Sequence, residues 1–324
     1  MKNIIKKLLI IFLLFQFPSS YAQFLNEYWQ NFSHRKTNYS DVTPEPREDF
    51  SLLITVIKPG YRFYINDEPS SSRISLDVYG RFEHVHDFRY KTKFHDNVYN
   101  NHYKYGFGVR LRIQKEDLIN HWIKYLHIDL FAETQKMETW NNDVEYWFDF
   151  IEQQNNRFGL NAWLNSNYGN PFGQETYLDL SYHSTNFSDP GHDPYLILTL
   201  SPKLYYNISR TKKHFFDLYI NEELVKDFMQ KGSWNRNPFS NNLKTILGIR
   251  AIFPLNENFN LEKDHIFYNT SFLIFSEYSA ISYLDDKSDW PWQTELANHD
   301  FRFGFMIWWP LGEAKYTPLI QNRF

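Results

Sequence analysis

The chain has 324 residues, 19% of them aromatic (Phe 30, Tyr 23, Trp 10), yet its mean hydropathy is −0.57. With no cysteine it can form neither a disulfide framework nor a Cys-ligated metal site, and no cysteine can be lipidated. Its 34 basic and 38 acidic residues are interspersed for a net charge of −4, which offers no field for nucleic acid or for an anionic membrane surface.

Lys2, Lys6 and Lys7 precede an apolar run from Leu8 to Phe17, then Pro18 and a Ser20-Tyr21-Ala22 ending. A basic start, a short apolar centre and small residues before the cut predict a secretory signal over 1–22. The run is too short to span a bilayer, which takes about twenty residues. Residues 23–49 are polar, with Pro44 and Pro46 and little periodicity, and read as an N-terminal arm. From residue 50 to 324 the sequence reads as one unit, beginning with a weak strand candidate near Leu52–Tyr64.

From Arg73 to His84, Ile74, Leu76, Val78 and Phe82 fall on one face, and Arg73, Ser75, Asp77, Arg81 and Glu83 on the other. Tyr105–Ile113 is the clearest case. Its odd positions are all apolar, and its even ones, Gly106, Gly108, Arg110 and Arg112, are small or cationic. A period of two places these sets on opposite faces of a strand. Leu126, Ile128, Leu130 and Ala132 alternate with His127, Asp129, Phe131 and Glu133. Then Val144, Tyr146, Phe148 and Phe150 alternate with Asp143, Glu145, Trp147 and Asp149.

Further along, Phe158, Leu160, Ala162 and Leu164 oppose Gly159, Asn161, Trp163 and Asn165, and Leu178, Leu180 and Tyr182 oppose Glu175, Asp179 and Ser181. Phe216, Leu218 and Ile220 oppose Asp217, Tyr219 and Asn221; Leu243, Leu247, Ile249 and Phe253 oppose Lys244, Gly248 and Arg250. The last clear segment sets Phe301, Phe303, Phe305 and Ile307 against Arg302 and Gly304. Tyr195–Ser201 and Tyr268–Glu277 are apolar on both sides, so their faces stay unassigned. Asn221–Met229 is the best helical candidate, placed in or near a loop. The C-terminal stretch from Tyr316 to Phe324 has a terminal aromatic after spaced apolar residues, a feature of outer-membrane assembly signals, although Pro318 and Asn322 interrupt it.

These segments predict an all-β fold: a closed antiparallel transmembrane β-barrel of roughly 12 to 16 strands, greasy side to lipid and polar side to a wet lumen. The alternative with the greasy side turned to a core is a secreted soluble β-sandwich binding glycans. In the barrel, the candidate lumen-lining residues are Arg81, Glu83, Arg110, Arg112, Asp129 and Glu133. Glu145, Trp147, Asp149, Trp163 and Asp179 follow, then Asp217, Arg250, Glu277 and Arg302. Rings of charge set the selectivity of a pore, and they also pair across a lumen to hold strands in register. Arg110 and Arg112 have inward carboxylates such as Glu133 as candidate partners. Inward Phe131, Trp147, Trp163 and Tyr219 suit a saccharide path, where sugar rings stack on aromatic faces, and equally they fill space.

No catalytic residue, metal or cofactor is assigned. His84 and His86 share a strand face as a metal pair without a third ligand at readable spacing. An outer-membrane lipid- or lipopolysaccharide-modifying enzyme is the alternative carried by His183-Ser184, with Asp189 and His192 in the following loop. No nucleophile elbow, HExxH or Gly-rich phosphate loop is present.

Tyr105–Arg112 resembles a strand of the outer-membrane barrels of bacterial exopolysaccharide exporters. So do Leu126–Glu133, Phe158–Trp163, Gly173–Tyr182, and Trp234-Asn-Arg236 leading to Gly248-Ile-Arg250. The likeness covers Asn101 to Leu255 and is greatest to the C-terminal barrel of the phage-adsorption protein A type. It implies a passive conduit or envelope component associated with exopolysaccharide export, located in a Gram-negative outer membrane with outer-membrane lipid around it. Those exporters carry a periplasmic array of tetratricopeptide repeats; this chain has no 34-residue repeat, so the resemblance implies a separate periplasmic scaffold protein as partner, beside a polysaccharide.

Overall fold

The computed structural model describes residues 22–37, 49–65, 72–88, 102–118, 123–137, 154–167, 171–185, 195–211, 213–229, 241–262, 265–284 and 299–311. They form twelve antiparallel strands, each hydrogen-bonded to its neighbours in sequence, with β1 closing the ring on β12. The strands are β1 Ala22–Thr37, β2 Asp49–Tyr64, β3 Ser72–Asp87, β4 His102–Leu118, β5 Ile123–Met137 and β6 Gln154–Asn167. They continue with β7 Phe172–Thr185, β8 Tyr195–Arg210, β9 Phe215–Asp227, β10 Asn241–Pro254, β11 Ser271–Tyr283 and β12 His299–Leu311. Among the described residues one short helix, α1 (Leu255–Phe259), lies between β10 and β11.

The period of two in the sequence becomes a barrel wall turned inside out relative to a soluble protein. Phe107 is 67% exposed and Leu130 60%, whereas Arg110 and Asp129, on the opposite face of the same two strands, are 3% and 2% exposed. Closure leaves no unpaired strand edge, and a wall with apolar residues outward and charges inward is the solution available to strands in lipid. The chain is therefore a membrane-spanning barrel of the outer-membrane type. Strands of 13 to 17 residues exceed the roughly ten needed to cross a bilayer when tilted, so they project beyond it. Outward aromatic pairs mark both rims, with Phe24 on Tyr61 and Phe172 on Tyr206 at one end, and Phe82 on Tyr103 and Phe158 on Tyr182 at the other. These are the positions of interfacial girdles.

Connections differ between the ends. Residues 65–71, 119–122, 168–171, 211–214 and 255–270, the last carrying α1, lie between strands at one rim, and 38–48, 88–101, 138–153, 186–194, 228–240 and 284–298 lie between them at the other. We refer to these as the turn rim and the loop rim.

Two expectations need correction. Residues 23–49 are not an arm throughout, because Ala22–Thr37 is β1 and pairs along its length with β2 and β12. Its alternation is hidden because the outward face interleaves polar Gln30 and His34 with aromatic Phe24, Tyr28 and Phe32. Gln30 Nε2 donates to Thr55 Oγ1 (3.4 Å) and His34 Nδ1 meets Ser51 Oγ (3.1 Å), so these groups satisfy one another on the wall. Asn221–Met229 is not helical: through Asp227 it continues β9, paired to β10. There the acidic pair simply straddles the pleat, and outward Glu222 accepts from Thr245 Oγ1 at 2.8 Å. Pairing also assigns the doubly apolar segments: Leu198 and Leu200 lie opposite Leu180 and Leu178 of the outward face and Thr199 opposite inward Asp179, while Ile274 faces outward and Leu273 and Phe275 inward. The signal segment 1–21, the strand expected over 143–150 and the C-terminal stretch lie outside the described residues.

Candidate functional site: the charged lumen

β4 alternates Gly, Gly, Arg, Arg on its inward face because each of these positions meets something large from elsewhere. A Cβ at Gly108 would collide with the Tyr79 ring from β3. Arg110 rises over that ring, its guanidinium 5.0 Å from the centroid. It donates from Nε to Asp129 Oδ1 on β5 (2.6 Å) and from Nη1 to Glu27 Oε1 on β1 (2.9 Å). Arg112 reaches the same Glu27 and donates from Nε to Asp77 Oδ2 (2.7 Å), which also accepts from Arg62 on β2. β1 and β4 are separated by two strands, so this bridge runs through the interior. The arginines of Tyr105–Ile113 therefore face the lumen, but Glu133 is not their partner.

Glu133 instead accepts from Arg81 Nη1 at 2.7 Å and from Arg157 Nη1 at 3.3 Å, and Arg157 also bonds Asp179. Glu83 takes Arg81 and Lys104, the latter at 2.9 Å. On the other side Arg250 donates from Nε to Asp217 Oδ2 (2.7 Å) and from Nη2 to Glu175 Oε1 (3.1 Å), a second bridge across two intervening strands, β7 to β10. Glu277 accepts from Tyr219 (2.6 Å) and pairs with Arg302 (2.8 Å). Trp163 is inward on β6, its ring 5.1 Å from Tyr125. Glu145, Trp147 and Asp149 lie outside the described residues. The sequence reading did not single out Glu27, Lys58, Arg62, Tyr79, Arg157, Lys203 or Tyr205 as lumen residues, although parity within β3 and β6 would have found Tyr79 and Arg157.

Opposite charges at hydrogen-bond distance, most of them under 9% exposed, make this lattice nearly neutral locally. Burial in low dielectric is tolerable here because each charge has a partner and further hydrogen bonds. A lumen of this kind presents many donors and acceptors and little net field.

The histidines resolve differently from the chemistry considered for them. His84 and His86 stand on the outer wall, and His84 stacks on Tyr103 with centroids 4.6 Å apart. Among the described residues no group of three or more His, Asp or Glu is placed to hold a metal. Ser184 points to the opposite face from His183, and Asp189 and His192 lie outside the described residues. The serine beside His183 is Ser181, one pleat along β7, with Oγ 3.0 Å from Nε2. Asn155 Nδ2 lies 3.0 Å from His183 Nδ1, and Ser181 Oγ donates to Asp179 Oδ1 at 2.8 Å. Donors run Asn155 to His183 to Ser181 to Asp179. The serine proton therefore goes to a carboxylate rather than to an imidazole, and nothing here activates the oxygen as a nucleophile.

No protein-family model and no curated protein sequence matches the chain. Among solved structures the chain is similar to an outer-membrane channel from Pseudomonas putida F1, at 9% identity over 91% of this chain and 99% of that one, with a TM-score of 0.45. It is similar also to the β domain of a Bordetella autotransporter, at 10% identity over 89% of this chain and 98% of the other (TM-score 0.43). A bacterial polysaccharide outer-membrane secretin matches at 9% identity over 88% and 98%, with a TM-score of 0.36. The likeness is one of barrel architecture alone.

Proposed function

We propose that this chain is a barrel of a Gram-negative outer membrane that serves as a narrow polar conduit in exopolysaccharide export. The signal read over 1–22 carries it out of the cytoplasm. Outer-membrane lipid surrounds its apolar wall, and the tight connections of the turn rim face the periplasm, where a separate scaffold protein meets it. Short turns on the periplasmic side and long loops outside are the usual arrangement of such barrels.

The observation that supports this reading best is the paired lattice of the lumen. The two bridges, Glu27 to Arg110 and Glu175 to Arg250, neutralise their charges internally, so an ion entering gains little field. A neutral polyol meets carboxylates, guanidinium groups and inward tyrosines that can exchange hydrogen bonds with it and stack on its rings. Passage requires each bridge to part and re-form around the solute, which makes the conduit slow and selective rather than open.

The test is planar-bilayer recording on the purified full-length barrel. We expect small unitary currents that neutral oligosaccharides reduce in a concentration-dependent way, and larger currents once Glu27→Gln and Glu175→Gln loosen both bridges. A double variant that still passes no current, and a parent that takes up no oligosaccharide, would sink the conduit reading.

A further inference from the structure

Strands six apart face each other across a twelve-stranded ring, and in this barrel their inward residues match in type and partner, with matching register between β3 and β4 and between β9 and β10. On β3 and β4, Asp77 and Tyr79 sit opposite Arg110 and Gly108; on β9 and β10, Asp217 and Tyr219 sit opposite Arg250 and Gly248. In both places the tyrosine ring occupies the space of the missing glycine Cβ. The arginine lies over that ring, at 5.0 Å for Arg110 on Tyr79 and 5.7 Å for Arg250 on Tyr219. It then reaches a glutamate three strands back, Glu27 on β1 in one case and Glu175 on β7 in the other. The intervening β2 and β8 each send a lysine to the same tyrosine, Lys58 at 5.4 Å and Lys203 at 4.9 Å.

The rest of the ring continues the correspondence. Arg157 on β6 covers Phe131 of β5 at 4.6 Å and pairs with Glu133; Arg302 on β12 covers Phe275 of β11 at 4.8 Å and pairs with Glu277. Near the loop rim the Arg35–Asp300 ion pair has as counterpart the His183–Asn155 contact. Even the outward edge-on pair Phe24–Tyr61 recurs as Phe172–Tyr206. Within each pair of strands the numbering offset is constant, and it changes only at connections, as insertions and deletions in loops would leave it.

We infer that the barrel is a tandem duplication of a six-stranded unit, β1–β6 and β7–β12, whose lumen is built around a twofold axis, and that the second unit has exchanged a charged deck for an apolar one. The exchange is visible near the turn rim. Ser75, Arg112 and Asp129 of the first unit correspond to Phe215, Ile252 and Leu273, which with Phe275 and Met306 form a buried apolar cluster inside the barrel. The acceptors of Arg112, Asp77 and Glu27, are kept in the second unit as Asp217 and Glu175. Position 252 is thus a place where the second unit still holds the carboxylates for an arginine it no longer has. Position 273 corresponds by its offset to Asp129, so an arginine there copies no cation of the first unit; β11 is slipped by two residues along β10 relative to β5 along β4, since Arg110 faces Asp129 but Arg250 faces Phe275. Neither statement depends on what, if anything, passes through the lumen.

The experiment compares two full-length variants that bury the same cation in the same cluster, Ile252→Arg and Leu273→Arg, at positions 0% and 3% exposed. Each is also made with Phe215→Ser, which gives an arginine at 252 the room that Ser75 gives Arg112. Folding is read by heat-modifiable gel mobility and urea midpoint in detergent. An arginine without acceptors in an apolar site lowers the folded-to-unfolded ratio about a hundredfold or more. We expect that loss for Leu273→Arg with or without Phe215→Ser, and a loss within about tenfold for Ile252→Arg with Phe215→Ser, because its partners are in place. If the two arginines are equally damaging in the Phe215→Ser background, the duplication of the interior is overturned. Bilayer currents recorded on the folded variant report separately on the conduit.

Discussion

Removing the Arg110 guanidinium should be among the most damaging single changes in the barrel. Arg110→Met keeps the aliphatic stem over Tyr79 and deletes both charge-assisted contacts, 2.6 Å to Asp129 and 2.9 Å to Glu27. All three residues are 6% exposed or less. Glu27 keeps Arg112, but Asp129 loses the arginine that its carboxylate accepts from, and breaking a buried pair by removing one partner costs about 3–5 kcal/mol. At about 1.4 kcal/mol per tenfold, the folded-to-unfolded ratio should fall by about two to three and a half orders of magnitude. Urea titration of the refolded barrel in detergent, followed by tryptophan fluorescence and gel mobility, measures this directly. Adding Asp129→Asn should recover a substantial part of the loss, since the orphaned charge is then gone. The control is Arg35→Met: Arg35 is itself 30% exposed, and the Asp300 carboxylate it leaves keeps Lys244 at 3.7 Å, so this loss should be the smaller of the two. If Arg110→Met costs no more than Arg35→Met, the charged lattice does not hold the lumen together and the argument is refuted.

Two further predictions concern the walls. Gly108→Ala should cost about 1–3 kcal/mol by overpacking against the Tyr79 ring, while Gly80→Ala, where the nearest heavy atoms are 3.9 Å away, should be almost neutral; urea midpoints of the two separate close packing from a general glycine effect. Leu130→Arg, at an outward position 60% exposed, should cost about 2–4 kcal/mol near the bilayer midplane and much less in detergent micelles that let the side chain reach water; equal costs in both would mean that this face does not meet lipid.

How much was legible in the sequence depends on whether a strand has one apolar face. β4 and β5 could be read outright, since Tyr105–Ile113 and Leu126–Glu133 alternate without error and their faces in the barrel follow that alternation. β1 could not be read, because Gln30 and His34 on its outer face are satisfied by Thr55 and Ser51, residues that only strand pairing brings near. The outward histidines show the same limit, since parity put His84 and His86 together but only the neighbouring strand shows His84 stacked on Tyr103.

The sequence by itself therefore determined the local quantity, which residues share a face, because in a strand that is a matter of odd and even positions alone. It also determined the all-β class, since no run of residues was apolar enough for a membrane helix while many were apolar at every second place, whereas closure into a barrel instead of a two-layered sandwich is seen only in the pairing of β1 with β12. Tertiary structure decided which inward charges meet. Arg110 finds Glu27 rather than Glu133 because the partner is set by strand order, register and tilt around a closed ring, and the correspondence of β1–β6 with β7–β12 becomes visible only when those partners are known. Matching residues recur at offsets that shift at most of the connections, so no single fixed period joins them, while the twofold arrangement of their side chains in space does.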